Sequence, residues 1–315
     1  MDLTLTTQQQ QIVDSLHSLL QRHAGPDRAK ALLATEAYDQ ELDARLEEGG
    51  FLDMILGDET GALEASLAAM EIARSVGTVA YGAGAIVAPK LLGARPAGPI
   101  ALARAPADFP VRFASQAKLI LIDAGAEAQA LEVAAGDVAP APTDHLGWPM
   151  GRLTPAALGK AKGLGPGSGE ALRRWWRLAL AAEAVGTMQG ALALTLEYVK
   201  NRRQFGRPIG QFQALQHRLA ELTVIVEGAR WLTLEAAFRD AAPLEAATAA
   251  GRAAGAAGLV ARESHQMHGA IGLTREYPLH LWSVRLGPLA AELGGAAAHR
   301  REAAQLRFFT EQTAA

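Results

Sequence analysis

A sharp break between two long helical patterns constrains this chain more than any other feature. It lies in residues 198–222, YVKNRRQFGRPIGQFQALQHRLAEL, where apolar residues keep a helical spacing before the break and resume it afterwards. Gly206, Pro208 and Gly210 stand between the two patterns and interrupt the helix. The segment therefore predicts two helices joined by a short turn, as in an antiparallel bundle.

Three arginines gather at this turn. Arg202, Arg203 and Arg207 surround the aromatic residue Phe205. A planar guanidinium group donates two parallel, charge-assisted hydrogen bonds, which suit a phosphate or a carboxylate. The turn is either a site for an anionic ligand or a basic corner exposed to solvent, and the arginine pattern alone leaves both interpretations open.

The chain before this segment divides into a helical start and a strand-rich middle. Residues 1–95 show helical periodicity, with helices predicted over about 37–48 and 61–76. Residues 96–165 contain short apolar runs, such as KLILIDA, separated by Pro, Gly and Asp, and such runs are typical of strands. The Gly-rich string at 159–169 lacks the ending of a phosphate loop, so we predict a linker there.

The last part of the chain is helical again. Predicted helices cover about 169–202, 211–239, 243–268 and 289–311, with a shorter one after Glu276. Long helices joined by short turns favour a bundle.

Composition narrows the classes of function. The formal net charge of −3 gives no overall field that would attract nucleic acid, and the absence of cysteine excludes disulfides and thiolate chemistry.

His265 and His268 are spaced i, i+3, but no carboxylate pattern completes a site, so no metal is predicted. The start of the chain lacks a signal-peptide pattern, and Arg252 and Arg262 interrupt the best Ala-rich candidate for a membrane span. We expect a cytoplasmic protein without a membrane partner.

Two segments resemble signatures of the acyl-CoA dehydrogenase family. The first is R-x-Q-F-G-x-P-I-x-x-F-Q-x-x-Q-H-x-L-A at the arginine turn, and the second is QMHGAIGLTREYP, residues 266–278. They occur in the family's order and at about its separation. The resemblance implies an α+β, mainly α, fold in three parts: an N-terminal helical domain (1–95), a reduced β-strand subdomain (96–165) and a C-terminal helical bundle (166–315).

The resemblance also implies a cofactor. In this family FAD is shared between neighbouring subunits, and one subunit supplies the arginine turn and the second signature to the pyrophosphate and adenine end of its neighbour's FAD. On this chain the corresponding residues, with Gln213 added as a nearby hydrogen-bonding group, are Arg202, Phe205, Gln213, Gln266, Gly269 and Ala270. Close helix packing is the alternative interpretation of Gln266 and Gly269.

The substrate and catalytic residues match the family less well. Arg177 corresponds to an arginine that helps to hold the coenzyme A thioester, although a helix-surface arginine or a subunit contact would give the same pattern. A carboxylate must remove the substrate's α-proton. At the two places where the family keeps it, this chain has Gly294 and Trp176, and neither can accept a proton. Glu292 lies two residues from the first place and is either the base or an ordinary helix-surface carboxylate.

The flavin-ring segment of the family, a Thr-Glu-Pro followed by a Gly-Ser-Asp cluster, is also not found in the middle region. The chain thus lacks the groups for its own active site and keeps those that serve a neighbour. This asymmetry predicts the short subunit of a heteromeric acyl-CoA dehydrogenase, similar to the α2β2 enzymes of steroid side-chain degradation. Its partners would be a longer paralogue, an acyl-CoA and an electron-transferring flavoprotein. The alternatives are a homomeric flavoenzyme with Glu292 as base, a non-catalytic acyl-CoA-binding or scaffold protein and, last, a DNA-binding relative, which would need a basic surface.

Overall fold

The chain begins with a group of short helices. A computed structural model describes residues 4–141 and 147–309. The first helices are α1 (Thr7–His23), α2 (Pro26–Ala34), α3 (Gln40–Glu48) and α4 (Ala62–Arg74), followed by a π-helical turn over Gly82–Val87 and α5 (Ala88–Leu92). Thr6 and Gln9 form a capping box at the start of α1. The predicted helix over 37–48 is shorter than expected, because Asp39 caps α3 by accepting from the Leu42 N–H. The sequence analysis did not predict helix α2.

The middle of the chain folds into two small sheets. The strands are β1 (Ile100–Arg104), β2 (Val111–Arg112), β3 (Leu119–Asp123), β4 (Glu127–Glu132), β5 (Val138–Pro140), β6 (Met150–Leu153) and β7 (Lys162–Pro166), with the short helix α6 (Pro155–Leu158) before β7. One sheet has the order β1-β3-β4-β7, in which β1 and β3 are parallel and the other pairs antiparallel, and the second has the order β2-β6-β5.

Strand β7 corrects one prediction. The Gly-rich string at 159–169 was predicted to be a linker, but residues 162–166 pair antiparallel with β4, with Lys162 opposite Ala130. Local sequence gave no strand signal there, since Gly and Pro are depleted in strands. The strand forms because the edge of β4 offers its backbone hydrogen-bonding partners.

The C-terminal helices form the largest part of the molecule. They are α7 (Ser168–Asn201), α8 (Gln213–Phe238), α9 (Pro243–His268), α10 (His280–Ala291) and α11 (Gly295–Phe308). A two-residue ladder at the turn between α7 and α8 pairs β8 (Arg203–Gln204) with β9 (Arg207–Pro208). Helix α9 begins at Pro243, as predicted, because proline is favoured at the first position of a helix. It ends before Gly269, whose φ is +64°.

Helix α7 is the centre of the core. Its most apolar 18-residue window has a mean hydropathy of 1.3 and is 78% buried inside the protein, as in a core helix. By length and composition this window could also cross a membrane, and the sequence analysis, which considered the Ala-rich segment around Arg252 and Arg262, did not identify it. Two glycines let neighbours approach α7 closely. A Cβ on Gly186 would lie 2.0 Å from the Met70 carbonyl oxygen, and one on Gly190 would lie 2.0 Å from the Trp282 indole nitrogen.

The end of the chain differs from its prediction at one place that matters for the site. A single helix was predicted over 289–311, but α10 ends at Ala291 and α11 begins at Gly295. Between them Leu293 has φ 53° and Gly294 has φ +90°, and these left-handed residues turn the chain. The turn places Glu292 beside the sheets rather than on a helix surface.

Candidate functional site

The arginine turn is a tight, exposed corner at the C-terminal end of α7. The Arg202 N–H donates to the Tyr198 carbonyl (2.8 Å), and the Arg202 carbonyl accepts from the Ile209 N–H (2.8 Å). Phe205 (φ 53°) and Gly206 (φ +78°) make the reversal between β8 and β9. Phe205 is 90% exposed, so its ring is presented to solvent.

This corner carries three exposed positive charges. Arg202, Arg203 and Arg207 are all exposed, and within residues 4–141 and 147–309 none of the three forms an ion pair. The Arg207 guanidinium lies 4.1 Å from the centre of the Phe212 ring, which holds it over the start of α8. Three guanidinium groups therefore remain able to receive an anion.

The structure brings the second signature to the same corner. The Tyr198 hydroxyl donates to the His268 carbonyl (3.2 Å), and the two rings stack with centroids 4.4 Å apart. Tyr277 completes the cluster, with its ring 5.6 Å from Tyr198 and 4.9 Å from His268. Burial lowers the pKa of His268, so the imidazole in this cluster is neutral at neutral pH. The ends of α7 and α9 are thus fixed side by side.

The remaining predicted residues of the second signature face outward. Gln266, Gly269 and Ala270 are exposed. A Cβ on Gly269 would meet no atom within 4 Å, so close helix packing is not what requires a small residue there; its φ of +64° does.

The start of α8 lies at the same corner. Gln213 is exposed at its first position, and Phe212 before it provides no side-chain cap. Gln216 instead donates to the Gly210 carbonyl (3.0 Å) and stabilises the turn.

This donor set fits the diphosphate of FAD. Unpaired guanidinium groups, exposed amide side chains and an uncapped helix start are the groups that hold a diphosphate. The residues that would hold it are Arg202, Gln213 and Gln266, with Phe205 beside the ligand.

A second region contains the residues considered for catalysis. A cavity of about 1,110 Å³ lies between the β1–β2 loop, the first part of α7, and α10 with the turn that follows it. Its walls are mainly apolar, and its polar side chains are Arg104, Asp108, Arg112, Ser283, Glu292 and the Trp176 indole.

Glu292 lies in this cavity but is fully engaged. It accepts from Arg112 Nε (2.5 Å) and Nη2 (3.2 Å) and from Trp176 Nε1 (2.7 Å). Arg112 also donates to Glu183 (2.9 Å) and lies over the Trp148 ring at 4.7 Å. Burial works against the charge of Arg112, but Glu183 and Glu292 outweigh it and raise its pKa. The alternative of an ordinary helix-surface carboxylate was wrong for Glu292.

The positions where the family keeps its base offer no proton acceptor. Gly294 lines the cavity with φ +90°, a conformation that a glutamate would adopt only with strain. Trp176 uses its indole N–H to hold Glu292. Sequence reasoning missed Arg112 and Glu183, and no motif in their short segments could have indicated them.

Most of the side-chain donors of the cavity are engaged within the chain, which leaves few for the polar edge of a flavin ring. Three of its donors are already used: Arg112 and Trp176 donate to Glu292, and Ser283 bonds His265 (2.8 Å). Arg104, on the rim, lies 3.8 Å from Asp123. The absence of the family's flavin-ring segment, noted in the sequence, agrees with this largely engaged lining.

Arg177 is buried rather than on a helix surface. It is 5% exposed and forms a two-point ion pair with Glu302, with distances of 2.7 and 2.6 Å. Beside it His299 is 0% exposed, and neither ring nitrogen has a hydrogen-bond partner within the described residues. Burial, and then the charge of Arg177, lower the pKa of His299 to about 4. The Arg177 side chain lines a further cleft, next to the cavity.

Comparison with known proteins identifies the family. A family model described as "Acyl-CoA dehydrogenase, C-terminal domain" matches residues 173–305. Acyl-CoA dehydrogenase IpdE2 of Mycobacterium tuberculosis is 33% identical over 307 residues, covering 90% of this chain and 92% of that protein.

Solved structures show the same fold. A chain of the ChsE4-ChsE5 complex from Mycobacterium tuberculosis aligns with a TM-score of 0.80 at 24% identity, covering 97% of this chain and 99% of that one. A chain of a Tcur3481-Tcur3483 steroid ACAD variant aligns with a TM-score of 0.84 at 24% identity, covering 99% and 100%. The mainly helical fold with a small β part, expected from the sequence, is confirmed.

Proposed function

The chain belongs to the acyl-CoA dehydrogenase family, and we propose that within it the chain acts as a short subunit that completes a partner's FAD site. In such an assembly the partner, a longer paralogue, supplies the flavin-ring seat and the catalytic carboxylate. This chain supplies the exposed corner formed by Arg202, Phe205, Gln213, Gln266 and Gly269.

One observation carries the proposal: the two sites of the chain differ in whether their charges are satisfied. In the cavity, Arg112 is neutralised by Glu183 and Glu292. At the corner, Arg202, Arg203 and Arg207 are exposed and form no ion pair among the described residues. A chain built to bind its own flavin ring would keep free donors in the cavity. Free charges on the outside suit a ligand held by another molecule.

The residues of the corner have separate tasks. Bound FAD would supply a hydride acceptor for the β-carbon of the acyl-CoA. Arg202 would donate to its diphosphate, and Gln213 and Gln266 would add neutral hydrogen bonds. Gly269 has no side chain, so a ligand can approach its backbone closely. Tyr198 holds the two signatures in register through the His268 carbonyl.

The relatives suggest a class of substrate and a place. Two of the similar structures are named as a ChsE4-ChsE5 complex and a steroid ACAD, so we propose a bulky acyl-CoA such as a steroid side-chain thioester. We further propose that the assembly works in the cytoplasm and passes electrons to an electron-transferring flavoprotein.

The test is to count flavin per chain. The chain is purified alone and then together with its longer paralogue, and FAD is measured from the visible spectrum and protein concentration. We expect no flavin in the lone chain and one FAD per heterodimer. One FAD per lone chain, together with oxidation of an acyl-CoA, would contradict the proposal.

The second candidate, a homomeric flavoenzyme with Glu292 as base, has one supporting observation: Glu292 does line the cavity. A Glu292→Gln variant separates the two functions. In the assembly proposed here it keeps turnover per flavin, whereas in a homomeric enzyme turnover would fall by orders of magnitude.

A further inference from the structure

Three histidines lie close together where α9 meets α10. His265 and His268 are in the last turn of α9, and His280 is the first residue of α10. Among the described residues none of the three lies within ion-pair distance of a carboxylate, whereas His17 and His23 in the N-terminal helices do. The three residues form the histidine cluster, and the proposed function gives their side chains no task.

His268 is enclosed between two tyrosines. It is 3% exposed, its ring stacks on Tyr198, and the Tyr277 ring lies 4.9 Å away at a tilt of 51°. Because a carbonyl only accepts, the contact of Nδ1 with the Ser264 carbonyl (2.8 Å) places the ring proton on Nδ1 and leaves a lone pair on Nε2. In the part of the chain that the structure describes, Nε2 has no hydrogen-bond partner. A second proton would therefore create a buried cation whose new N–H meets no acceptor.

The groups around His268 do not compensate such a cation. Burial lowers the pKa of His268, the Ser264 carbonyl opposes this, and the charge of His265 lowers the pKa further. Glu263, on the same helix, is already held by Arg218 of α8 at 2.6 Å. The titratable and charged groups on the surrounding elements are Lys30 on α2, Glu197 and Tyr198 on α7, Arg218 on α8, Glu263 and His265 on α9, Arg275, Glu276 and Tyr277 between α9 and α10, and His280 on α10.

The cluster also fixes both ends of an exposed segment. The second signature continues beyond the end of α9 at His268, where the Tyr198 hydroxyl donates to the His268 carbonyl. Further along, His280 Nδ1 donates to the Tyr277 carbonyl (2.9 Å). Between these two contacts, residues 269–276 are exposed apart from one glycine. A segment with so few buried contacts opens at little cost once one of its ends is released.

We propose that the histidine cluster is an acid-sensitive latch, in which a neutral His268 ring keeps residues 269–276 closed against α7 and its protonation releases them. In the released form His268 reaches water and takes up a proton as an exposed histidine does. Release therefore becomes more favourable as pH falls, the sign expected where the closed form favours the neutral imidazole. For its effect on FAD the latch rests on the proposed function, because residues 269–276 carry Gly269 and Ala270 of the corner.

The latch is tested on the full-length chain alone by amide hydrogen exchange at pH 7.5 and 5.5, read by mass spectrometry. Dividing the intrinsic exchange rate at each pH by the measured rate gives the protection of peptides that cover 269–276. Two amides report closure, since the Gly269 N–H donates to the His265 carbonyl and the Thr274 N–H to the Ile271 carbonyl (3.1 Å). An exposed histidine has an ordinary pKa of 6.5, so at pH 5.5 the released form gains about tenfold, and protection should fall by about tenfold.

Variants assign this change to one ring. His268→Phe keeps a ring between the tyrosines but cannot be protonated, so protection of 269–276 should be equal at the two pH values. His268→Gln, which is smaller and also does not titrate, gives the same test where the phenylalanine is not accommodated. The control is His17→Phe, which removes a half-exposed histidine of α1 that lies 3.7 Å from Glu71. It should keep the tenfold fall.

Equal protection at the two pH values in the wild type would overturn the proposal. An equal fall in the wild type and in both His268 variants would overturn it as well, because the change would then come from another group.

The consequence for FAD is measured separately in the heteromer, as the rate of FAD dissociation at pH 7.5 and 5.5. We expect the rate to rise in acid by up to tenfold in the wild type and to stay constant in His268→Phe. A rate that stays constant in the wild type would show that the latch does not control FAD. A heteromer without FAD would contradict the proposed function, whereas the exchange experiment on the lone chain would still decide the latch.

Discussion

The charged groups at the two ends of helix α7 differ in whether they are paired within the chain. Near its start, Trp176 and Arg177 belong to networks in which Glu292 and Glu302 form ion pairs with the buried Arg112 and Arg177. At its other end, Arg202 leaves the helix into a corner where guanidinium groups face solvent. A buried charge must be paired to be tolerated, whereas an exposed charge costs little and remains available to a ligand. The comparison therefore separates residues whose charges are paired within this chain from residues whose charges remain available to a ligand.

The largest effect is expected from Arg112→Gln. The substitution leaves Glu183 and Glu292 mostly buried without their cation, and breaking such a network lowers the free energy of unfolding by about 3–5 kcal/mol. Urea denaturation at neutral pH measures it. A loss below about 1 kcal/mol would mean that solvent reaches these carboxylates and that the two ends of α7 do not differ as described.

The next effect is a pH dependence that originates at His299. Its pKa is about 4 in the folded protein against an ordinary value of 6.5, because burial and then Arg177 disfavour its charge. The unfolded chain therefore binds the proton first as pH falls, and stability is lost between pH 6.5 and 4, by about 3 kcal/mol in total. His299→Leu should remove this part of the dependence, measured as the difference between wild type and variant in urea denaturation at pH 7.5 and 4.5. Parallel pH profiles for the two proteins would contradict it.

A smaller loss is expected from Glu292→Gln. The amide keeps the shape of the side chain, and Arg112 keeps Glu183. The amide NH2 cannot accept from Arg112 or Trp176, so the charge and at least one hydrogen bond are lost. The free energy of unfolding should fall by about 1–3 kcal/mol. Thermal or urea unfolding measures it, with Glu263→Gln, at a more exposed pair with Arg218, as the control. A variant as stable as the wild type would show that the pair with Arg112 contributes nothing.

The smallest effect on stability belongs to Arg202→Gln. With no ion pair to lose among the described residues, the free energy of unfolding should change by less than about 0.5 kcal/mol. The affinity of the heteromer for FAD should nevertheless fall about tenfold or more, because a charge-assisted contact with the diphosphate is removed. Arg239→Gln, at the far end of α8, should leave the affinity for FAD unchanged; its contacts with Glu235 and Glu245, at 3.8 and 3.6 Å, are exposed and contribute little to stability. A loss of stability in Arg202→Gln would show instead that Arg202 contributes to the stability of the fold.

The sequence by itself determined the elements with strong local signals. The turn at Gly206, Pro208 and Gly210 and the α9 boundaries at Pro243 and Gly269 were found from local pattern, because turns, caps and helical periodicity depend on neighbouring residues. The candidate FAD residues came from the resemblance of two segments to the family's signatures. The role of the FAD residues stays a prediction.

Tertiary structure alone decided the rest. Strand β7 forms in a Gly-rich string because β4 offers an unpaired edge. The left-handed residues Leu293 and Gly294 break the helix after Ala291. The break brings Glu292 to Arg112, which lies 180 residues away in the sequence. Such ion pairs depend on burial and distance, and neither can be read from local composition. For this reason the chain's motifs indicated its family, while only the fold showed which of its charges are already satisfied.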